Sequence, residues 1–215
     1  MIIFIKYPEV GKVKSRLAKD IGFERATQLY KLFVHDLLVT IKKTELDLLI
    51  AIYPPEQKEK FIEWLGSEYR YIEQCGSNLG EKMKNAFDES FVKGYDNTII
   101  IGSDSPDLES YIFDQALFAL KEVGSVIGEA MDGGYYLIGF NKGHFLPQIF
   151  LNIEWSTSQV FENTCKIFNQ YNHPYKQLKK WSDIDTLEDL NNLFDKYKED
   201  ISSSSTINFL KTFLC

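Results

Sequence analysis

Short apolar runs alternate with longer amphipathic segments along most of the 215 residues. Four of the runs predict buried strands, at 2–6, 46–52, 69–72 and 98–101. The segments between and after them repeat apolar residues at three- and four-residue spacing, which predicts helices. Later in the chain, the runs 125–128 and 135–140 leave no room for a helix between them, so we expect these two strands to pair antiparallel. The pattern predicts an α/β fold: a single Rossmann-like domain with a mainly parallel sheet, helices on both faces and an antiparallel edge.

The last part of the chain differs in composition from the rest. A serine run at 202–205 precedes an apolar stretch at 207–214. We therefore assign the domain to residues 1–200, and a flexible serine linker with a short apolar tail to residues 201–215. The tail either docks on the domain or contacts a partner, and docking is the commoner outcome.

Composition excludes several classes of protein. The net charge of -7 argues against a general nucleic-acid binder, and no apolar run approaches the ~20 residues that span a bilayer. The N-terminal run follows no basic region, so it predicts a strand and not a signal peptide. The three cysteines form no CxxC pair, as expected in a reducing cytoplasm. We expect a cytoplasmic protein without nucleic-acid or membrane partners, and leave a homodimer open.

Two carboxylates follow the isoleucine run at 99–101. Gly102 ends the predicted strand, and Asp104 and Asp107 come directly after it. Ligands of open α/β sheets bind at the carboxyl ends of strands, where a carboxylate can hold a divalent cation against phosphate. The alternative is that these residues cap the next helix. We favour metal binding and catalysis for Asp104, because Asp107 is placed to cap.

Positive charge concentrates in the loop after the first strand. Lys6, Gly11, Lys14 and Arg16 lie where backbone amides and cationic side chains would hold a nucleotide diphosphate, and Lys12 is expected at the surface. The loop matches neither GxxxxGK[ST] nor GxGxxG. A solvated basic loop is the alternative.

A second candidate motif begins at Asp132. Gly133 and Gly134 allow close approach of the backbone to a ligand, and Asp132 can bind a hydroxyl, ligate a metal or act as a base. A hairpin turn explains the same residues, and both interpretations can hold. Of Tyr135 and Tyr136, which alternate across the strand, we expect one in the core and one near the cleft.

Two later stretches add weaker candidates. Trp155 either stacks on a base or sugar or anchors a loop. Thr186 and Asp189 have the spacing of a capping box, which leaves Asp183 or Asp185 free to lie near the cleft.

In order, the stretches 6–17, 79–83, 102–108, 132–139, 155–157 and 183–186 resemble the DUF2064 family, and the resemblance covers about residues 1–195. That family is glycosyltransferase-like and includes arsenosugar-biosynthesis-associated members. The resemblance implies the nucleotide-diphospho-sugar transferase (GT-A) fold. One departure is Glu129, where a proline often stands in the family.

The resemblance also implies a reaction and a set of site residues. A sugar would pass from a nucleotide-diphosphate donor to a small acceptor, with Mg²⁺ or Mn²⁺ neutralising the leaving diphosphate. We assign the metal to Asp104 and Asp185, and place Asp132 nearest the acceptor. Asp107 is a weaker candidate for the metal, because the spacing is DxxD and not DxD. The substrate-binding set comprises Asp107, Gly133, Gly134, Tyr135 and Trp155.

Three alternatives remain open. A nucleotidyltransferase of the 2-phospholactate guanylyltransferase type shares this fold and releases pyrophosphate from a nucleoside triphosphate. Many such enzymes use a glycine-rich loop, whereas this loop offers only Gly11. The others are a non-catalytic nucleotide-binding protein and, with least support, an interaction scaffold that uses the apolar tail.

Overall fold

A seven-stranded sheet forms the centre of the computed structural model, which describes residues 1–199 and 204–214. The strands are β1 (Ile2–Lys6), β2 (Leu49–Tyr53), β3 (Arg70–Glu73), β4 (Asn97–Ile101), β5 (Ser125–Ala130), β6 (Tyr135–Asn141) and β7 (Lys176–Trp181). Their order is β3-β2-β1-β4-β6-β5-β7. Strand β6 runs antiparallel to β4 and β5, and the other pairs are parallel. The predicted mainly parallel sheet, with antiparallel pairing towards one edge, is confirmed.

Helices cover both faces of this sheet, as predicted. They are α1 (Ala18–Ile21), α2 (Phe23–Lys42), α3 (Lys58–Leu65), α4 (Leu79–Val92), α5 (Ser110–Glu122), α6 (Val160–Gln170), α7 (Leu187–Tyr197) and α8 (Ser205–Leu214). Helices α2, α3 and α5 pack with one apolar cluster, and α4 and α6 with another. Among the described residues, no helix is long and apolar enough to cross a membrane.

The isoleucine run shows why a central strand is apolar at every position. Ile99 and Ile101 face the cluster under α2 and α5, whereas Ile100 faces the cluster under α4. Successive side chains of a strand point to opposite faces, and here both faces are covered. Burial on both sides therefore explains why three isoleucines follow one another in β4.

The hydrophobic pattern of the sequence did not predict strand β7. Its sequence KQLKKW has four exposed residues, and only Leu178 and Trp181 are buried. Among the described residues the strand lies at the sheet edge and pairs with β5, and lysines on an edge strand discourage pairing with other chains. Its polar composition follows from that position.

Helix α8 packs on α2. Ile207 and Leu210 are buried in a third apolar cluster, with residues of α2 and α7. The carboxylate of Asp36 accepts the backbone N–H groups of Ser205 and Thr206, at 2.9 Å each, and so holds the start of α8. Most of the predicted serine linker lies outside the described residues.

Candidate functional site

A cavity of about 460 Å³ opens at the carboxyl ends of the parallel strands. Strand β1 ends there at Lys6, β2 at Tyr53 and β4 just before Gly102. Three carboxylates and four lysines line it, together with several apolar and aromatic side chains: Asp104, Asp183, Asp185, Lys6, Lys12, Lys14 and Lys82. This is the position where ligands bind in open α/β sheets.

Lys14 forms the centre of one part of the cavity. Its side chain is only 2% exposed, and its Nζ contacts a carboxylate oxygen of Asp104. The same Nζ donates to Asp185 Oδ1 at 2.9 Å and to the backbone oxygen of Ile184 at 2.7 Å. We call Lys14 with Asp104, Asp183 and Asp185 the acidic end of the cavity, because three carboxylates and one ammonium group line it.

Three separate loops build the acidic end. Lys14 lies in the loop after β1, Asp104 in the loop after β4, and Asp185 between β7 and α7. The N–H of Ile184 donates to the backbone oxygen of Asp104 at 2.9 Å, which joins two of the loops. Lys14 itself has a φ of 48°, in the left-handed region that L-residues rarely adopt. Its contacts hold it there, as is common for residues at functional sites.

The charges of the acidic end shift the protonation of two groups. Burial lowers the pKa of Lys14, but Asp104 and Asp185 outweigh that effect, so the pKa is raised above its ordinary value. Burial, and then the charge of Asp104, raise the pKa of Asp183 to about 7, although a hydrogen bond from Ser105 Oγ at 2.7 Å opposes the shift. Lys14 therefore stays charged, and Asp183 takes up a proton near neutral pH.

Two lysines line another part of the cavity, and no carboxylate of the described residues pairs with them. Lys6 ends β1, and its register partner Tyr53 ends β2. The Nζ of Lys82, from the first turns of α4, lies 3.6 Å from the centre of the Tyr53 ring. Burial, and then the charge of Lys6, lower the pKa of Lys82. We call Lys6 and Lys82 the basic end.

Tyr30, on α2, connects the end of β1 with the loop after β4. Its hydroxyl accepts the N–H of Lys6 at 2.9 Å and lies 3.0 Å from Ser103 Oγ. Burial, and then the charge of Asp104, raise the pKa of Tyr30 to about 12. A neutral phenol on α2 therefore fixes the end of β1 relative to the loop after β4.

Asp107 lies apart from the cavity. It accepts hydrogen bonds from Trp181 Nε1 at 2.9 Å, Lys196 Nζ at 3.1 Å and Tyr197 OH at 3.2 Å. Helix α5 begins at Ser110, with Glu109 at its N-cap, so the expectation that Asp107 caps the helix is wrong. The carboxylate ties the loop after β4 to β7 and α7.

The residues 132–134 form the turn between β5 and β6. Asp132 is exposed, does not line the cavity and accepts the N–H of Gly134 at 2.8 Å. Gly133 has a φ of 89°, and a Cβ there would lie 2.0 Å from the backbone oxygen of Ser158. The glycine is thus required by turn conformation and close packing. Asp132 is near enough for its charge to contribute to the raised pKa of Asp183.

Tyr135 and Trp155 have different positions. Tyr135 lines the cavity, and its hydroxyl lies 3.7 Å from Met83 Sδ. Trp155 does not line the cavity; it packs edge-on against Tyr135 at 6.3 Å and closely against Gly80. This packing is that of a loop anchor, and stacking of Trp155 on a base or sugar stays a prediction.

Some residues of the basic loop line the cavity and others do not. Lys6 and Lys14 line the cavity, whereas Gly11 and Arg16 are exposed and do not. Lys12, expected at the surface, is exposed and also lines the cavity. The sequence interpretation gave no role to the side chains of Lys82 or Tyr53. The stretch at 79–83, which opens a helix, was the available indication for Lys82.

The acidic end has suitable ligands for a hard divalent cation. Asp104 and Asp185 converge on one position, which the Lys14 ammonium group fills. Among the described residues, no group of three or more His, Cys, Asp or Glu side chains could hold a metal unaided. Mg²⁺ is commonly held by one or two carboxylates together with substrate phosphates and water. The two carboxylates are thus the ligand type that such a metal uses together with a phosphate, and in this structure the Lys14 ammonium group takes the position between them.

A protein of known structure is similar over nearly the whole chain. The crystal structure from Desulfovibrio desulfuricans G20, provisionally named as a nucleotide-diphospho-sugar transferase, has 39% identity and a TM-score of 0.94. The similarity covers 98% of this chain and 93% of that one. No curated protein sequence matches the chain.

More distant structures share the fold alone. CMP:2-keto-3-deoxy-manno-octonic acid synthetase in complex with CTP has 8% identity and a TM-score of 0.55, over 89% of this chain and 95% of that one. Rv0371c from Mycobacterium tuberculosis H37Rv, in complex with manganese, has 11% identity and a TM-score of 0.53, over 90% and 97%.

A family assignment follows from the sequence itself. Residues 37–157, more than half of the chain, match the family described as "uncharacterized protein conserved in bacteria". The matched range contains the cavity residues of β2, α4, β4 and β6. The chain therefore belongs to the DUF2064 family and has the fold of the nucleotide-diphospho-sugar transferases.

Proposed function

We propose that the protein is a transferase that moves a sugar from a nucleotide-diphosphate donor to a small acceptor, with Mg²⁺ or Mn²⁺. The observation that carries the proposal is the convergence of Asp104 and Asp185 on one buried cation in a cavity at the strand ends. The provisional name of the 39%-identical structure supports the same class of donor.

Asp104 and Asp185 would hold the metal, which supplies positive charge against the leaving diphosphate when it is bound. Lys14 is charged, but Asp104 and Asp185 balance that charge, so its part in the proposal is to hold the two carboxylates together. Lys6 extends the cationic lining towards β2. Lys6 projects from the end of β1, whereas Asp104, Asp185 and Lys14 project from loops that their mutual contacts hold together.

The acceptor would approach from the side of β6. Tyr135 and Asp183 line the cavity there, and Asp132 lies on the neighbouring turn. In the reaction an acceptor oxygen forms a bond to the anomeric carbon, the bond from that carbon to the diphosphate breaks, and the acceptor proton passes to a base. Asp132 remains our proposed residue for this role.

A donor screen tests the proposal. Calorimetric titrations with UDP-sugars, GDP-sugars and nucleoside triphosphates, each with EDTA, Mg²⁺ or Mn²⁺, should show tightest binding for a diphosphate sugar with metal. Turnover should then release the nucleoside diphosphate. Tight triphosphate binding followed by pyrophosphate release would contradict glycosyl transfer and support nucleotidyl transfer. Binding without turnover of any donor and acceptor would leave a nucleotide-binding protein. The cytoplasmic location and the homodimer stay predictions.

A further inference from the structure

We propose that Lys6 and Lys82 form an anion subsite, which binds phosphate oxygens of the ligand on the β2 side of the cavity. The two residues come from different elements: Lys6 ends β1, and Lys82 lies four residues into α4. Both side chains line the cavity. Tyr53, which carries the Lys82 ammonium group on its ring, is the register partner of Lys6 in the parallel pair β1–β2.

These cations differ from the other cavity lysine with defined contacts. Within residues 1–199 and 204–214, no carboxylate lies within 4.0 Å of Lys6 Nζ or Lys82 Nζ, whereas Lys14 contacts two. Glu81, the neighbour of Lys82 in the sequence, is bound elsewhere: its carboxylate accepts hydrogen bonds from the N–H and the hydroxyl of Ser77, each at 2.8 Å. Among the described residues, the two lysines of the basic end are therefore not paired with a carboxylate.

The charge of Lys6 acts on Lys82, and this has an energetic consequence. Partial burial and the charge of Lys6 both disfavour the charged form of Lys82, and its pKa is lowered. An anion that contacts both lysines would remove this repulsion and replace a weak cation–π contact with charge-assisted hydrogen bonds. Leu79, the first residue of α4, also lines the cavity, so the positive end of the helix dipole adds to the attraction.

The inference names the chemical class of the ligand group and where it binds. Phosphate and diphosphate esters carry several oxygens that two ammonium groups can share. The inference depends on the proposed function for the identity of the whole ligand, but the subsite itself needs only a phosphate. It predicts that phosphate binds at Lys6 and Lys82 without metal, because Lys14 is already neutralised by Asp104 and Asp185.

Pyrophosphate, titrated in EDTA by calorimetry, tests the subsite. Lys82→Met should weaken its binding by about tenfold or more, and Lys6→Met should act in the same direction. Lys84→Met is the matched control, because Lys84 lies on the same helix but pairs with Asp88 at 2.8 Å. It removes the same charge outside the cavity and should change the affinity by less than about twofold. Lys82→Arg, which keeps the charge, should retain most of the affinity.

Several outcomes would overturn the inference: no pyrophosphate binding by the unmodified protein, equal affinity in the Lys82→Met protein, or equal losses in the Lys82→Met and Lys84→Met proteins. If thermal unfolding measurements show that the Lys82→Met protein does not fold, Lys82→Gln serves in its place. Failure of the proposed function would be distinguishable from failure of the subsite. Lys82-dependent pyrophosphate binding without binding of any nucleotide sugar or triphosphate would keep the subsite and reject the transferase.

Discussion

The two ends of the cavity contain lysines in opposite situations. At the acidic end, Lys14 is almost fully buried and its charge is neutralised by Asp104 and Asp185. At the basic end, Lys6 and Lys82 both line the cavity, and the ammonium group of Lys82 lies over the ring of Tyr53. The same residue type therefore performs two tasks. A lysine held by carboxylates organises loops, and a lysine without them is available to an anion.

Removing the central ammonium group tests the first half of this comparison most strongly. Lys14→Met should lower the free energy of unfolding by about 2–3 kcal/mol, because it leaves the carboxylates repelling one another. Asp104 and Asp185 are 45% and 41% exposed, so water reduces the loss below that of a fully buried pair. Urea unfolding in EDTA measures it. Lys42→Met, which breaks an exposed pair with Glu68, should cost less than about 0.5 kcal/mol. Equal losses would contradict a special role for Lys14.

Neutralising a carboxylate tests whether the acidic end recruits metal. Asp104→Asn should remove about 2 kcal/mol of metal-assisted nucleotide binding, since a charged ligand is lost. The measurement is the ratio of affinities with Mg²⁺ and with EDTA. Asp107→Asn is the control, because Asp107 contacts Trp181 and Lys196 away from the cavity. It should leave that ratio unchanged while lowering stability. A ratio that is unaffected by Asp104→Asn would remove the metal from the proposal.

The acidic end also predicts a pH dependence of stability. The pKa of Asp183 is raised to about 7 in the folded protein, from an ordinary value of 3.8. The folded state then binds more protons than the unfolded state between these values, so this residue makes stability fall as pH rises from about 4 to about 7. Asp183→Asn should remove this fall. The free energy of unfolding of the variant, relative to that of the unmodified protein, should therefore be about 1–2 kcal/mol higher at pH 8 than at pH 4. A constant difference between the two proteins in EDTA would contradict the raised pKa.

The smallest effect is expected in the basic loop outside the cavity. Arg16 is exposed and does not line the cavity, although the loop sequence suggested phosphate binding. Arg16→Ala should change nucleotide affinity by less than about twofold, as for other exposed charges. A tenfold loss would show that the loop moves on binding and that Arg16 joins the basic end.

Regular structure was the most predictable part of the molecule. The isoleucines of β4 and the periodicity of α2 and α4 reflect burial on defined faces, which a one-dimensional pattern records. Strand β7 was not predicted, because its edge position permits exposed lysines. Position in the sheet depends on topology and is absent from the local pattern.

The site was predictable only to the level of its loops. Asp104, Lys14 and Asp185 do meet in one cavity, since each follows a strand whose carboxyl end lies at the same edge. Thr186 and Asp189 do form the capping box, which leaves Asp185 its side-chain contact with Lys14. The partner of each charge was not predictable. Lys14 looked like a phosphate ligand and is bound by carboxylates, and Lys82 was overlooked because the direction of a helical side chain depends on how its helix packs.

The contrast between Lys14 and Lys82 extends to chemical reactivity. Only an unprotonated amine reacts with amine-acylating reagents. A lowered pKa and open access therefore increase the rate of acylation, whereas a raised pKa and burial decrease it. Lys82, half-buried in an open cavity and with a lowered pKa, should be acylated early. Lys14 should remain unmodified while the fold is intact. Peptide mapping after brief labelling would therefore identify the two ends without any knowledge of the substrate, and a bound phosphate ligand should protect Lys6 and Lys82.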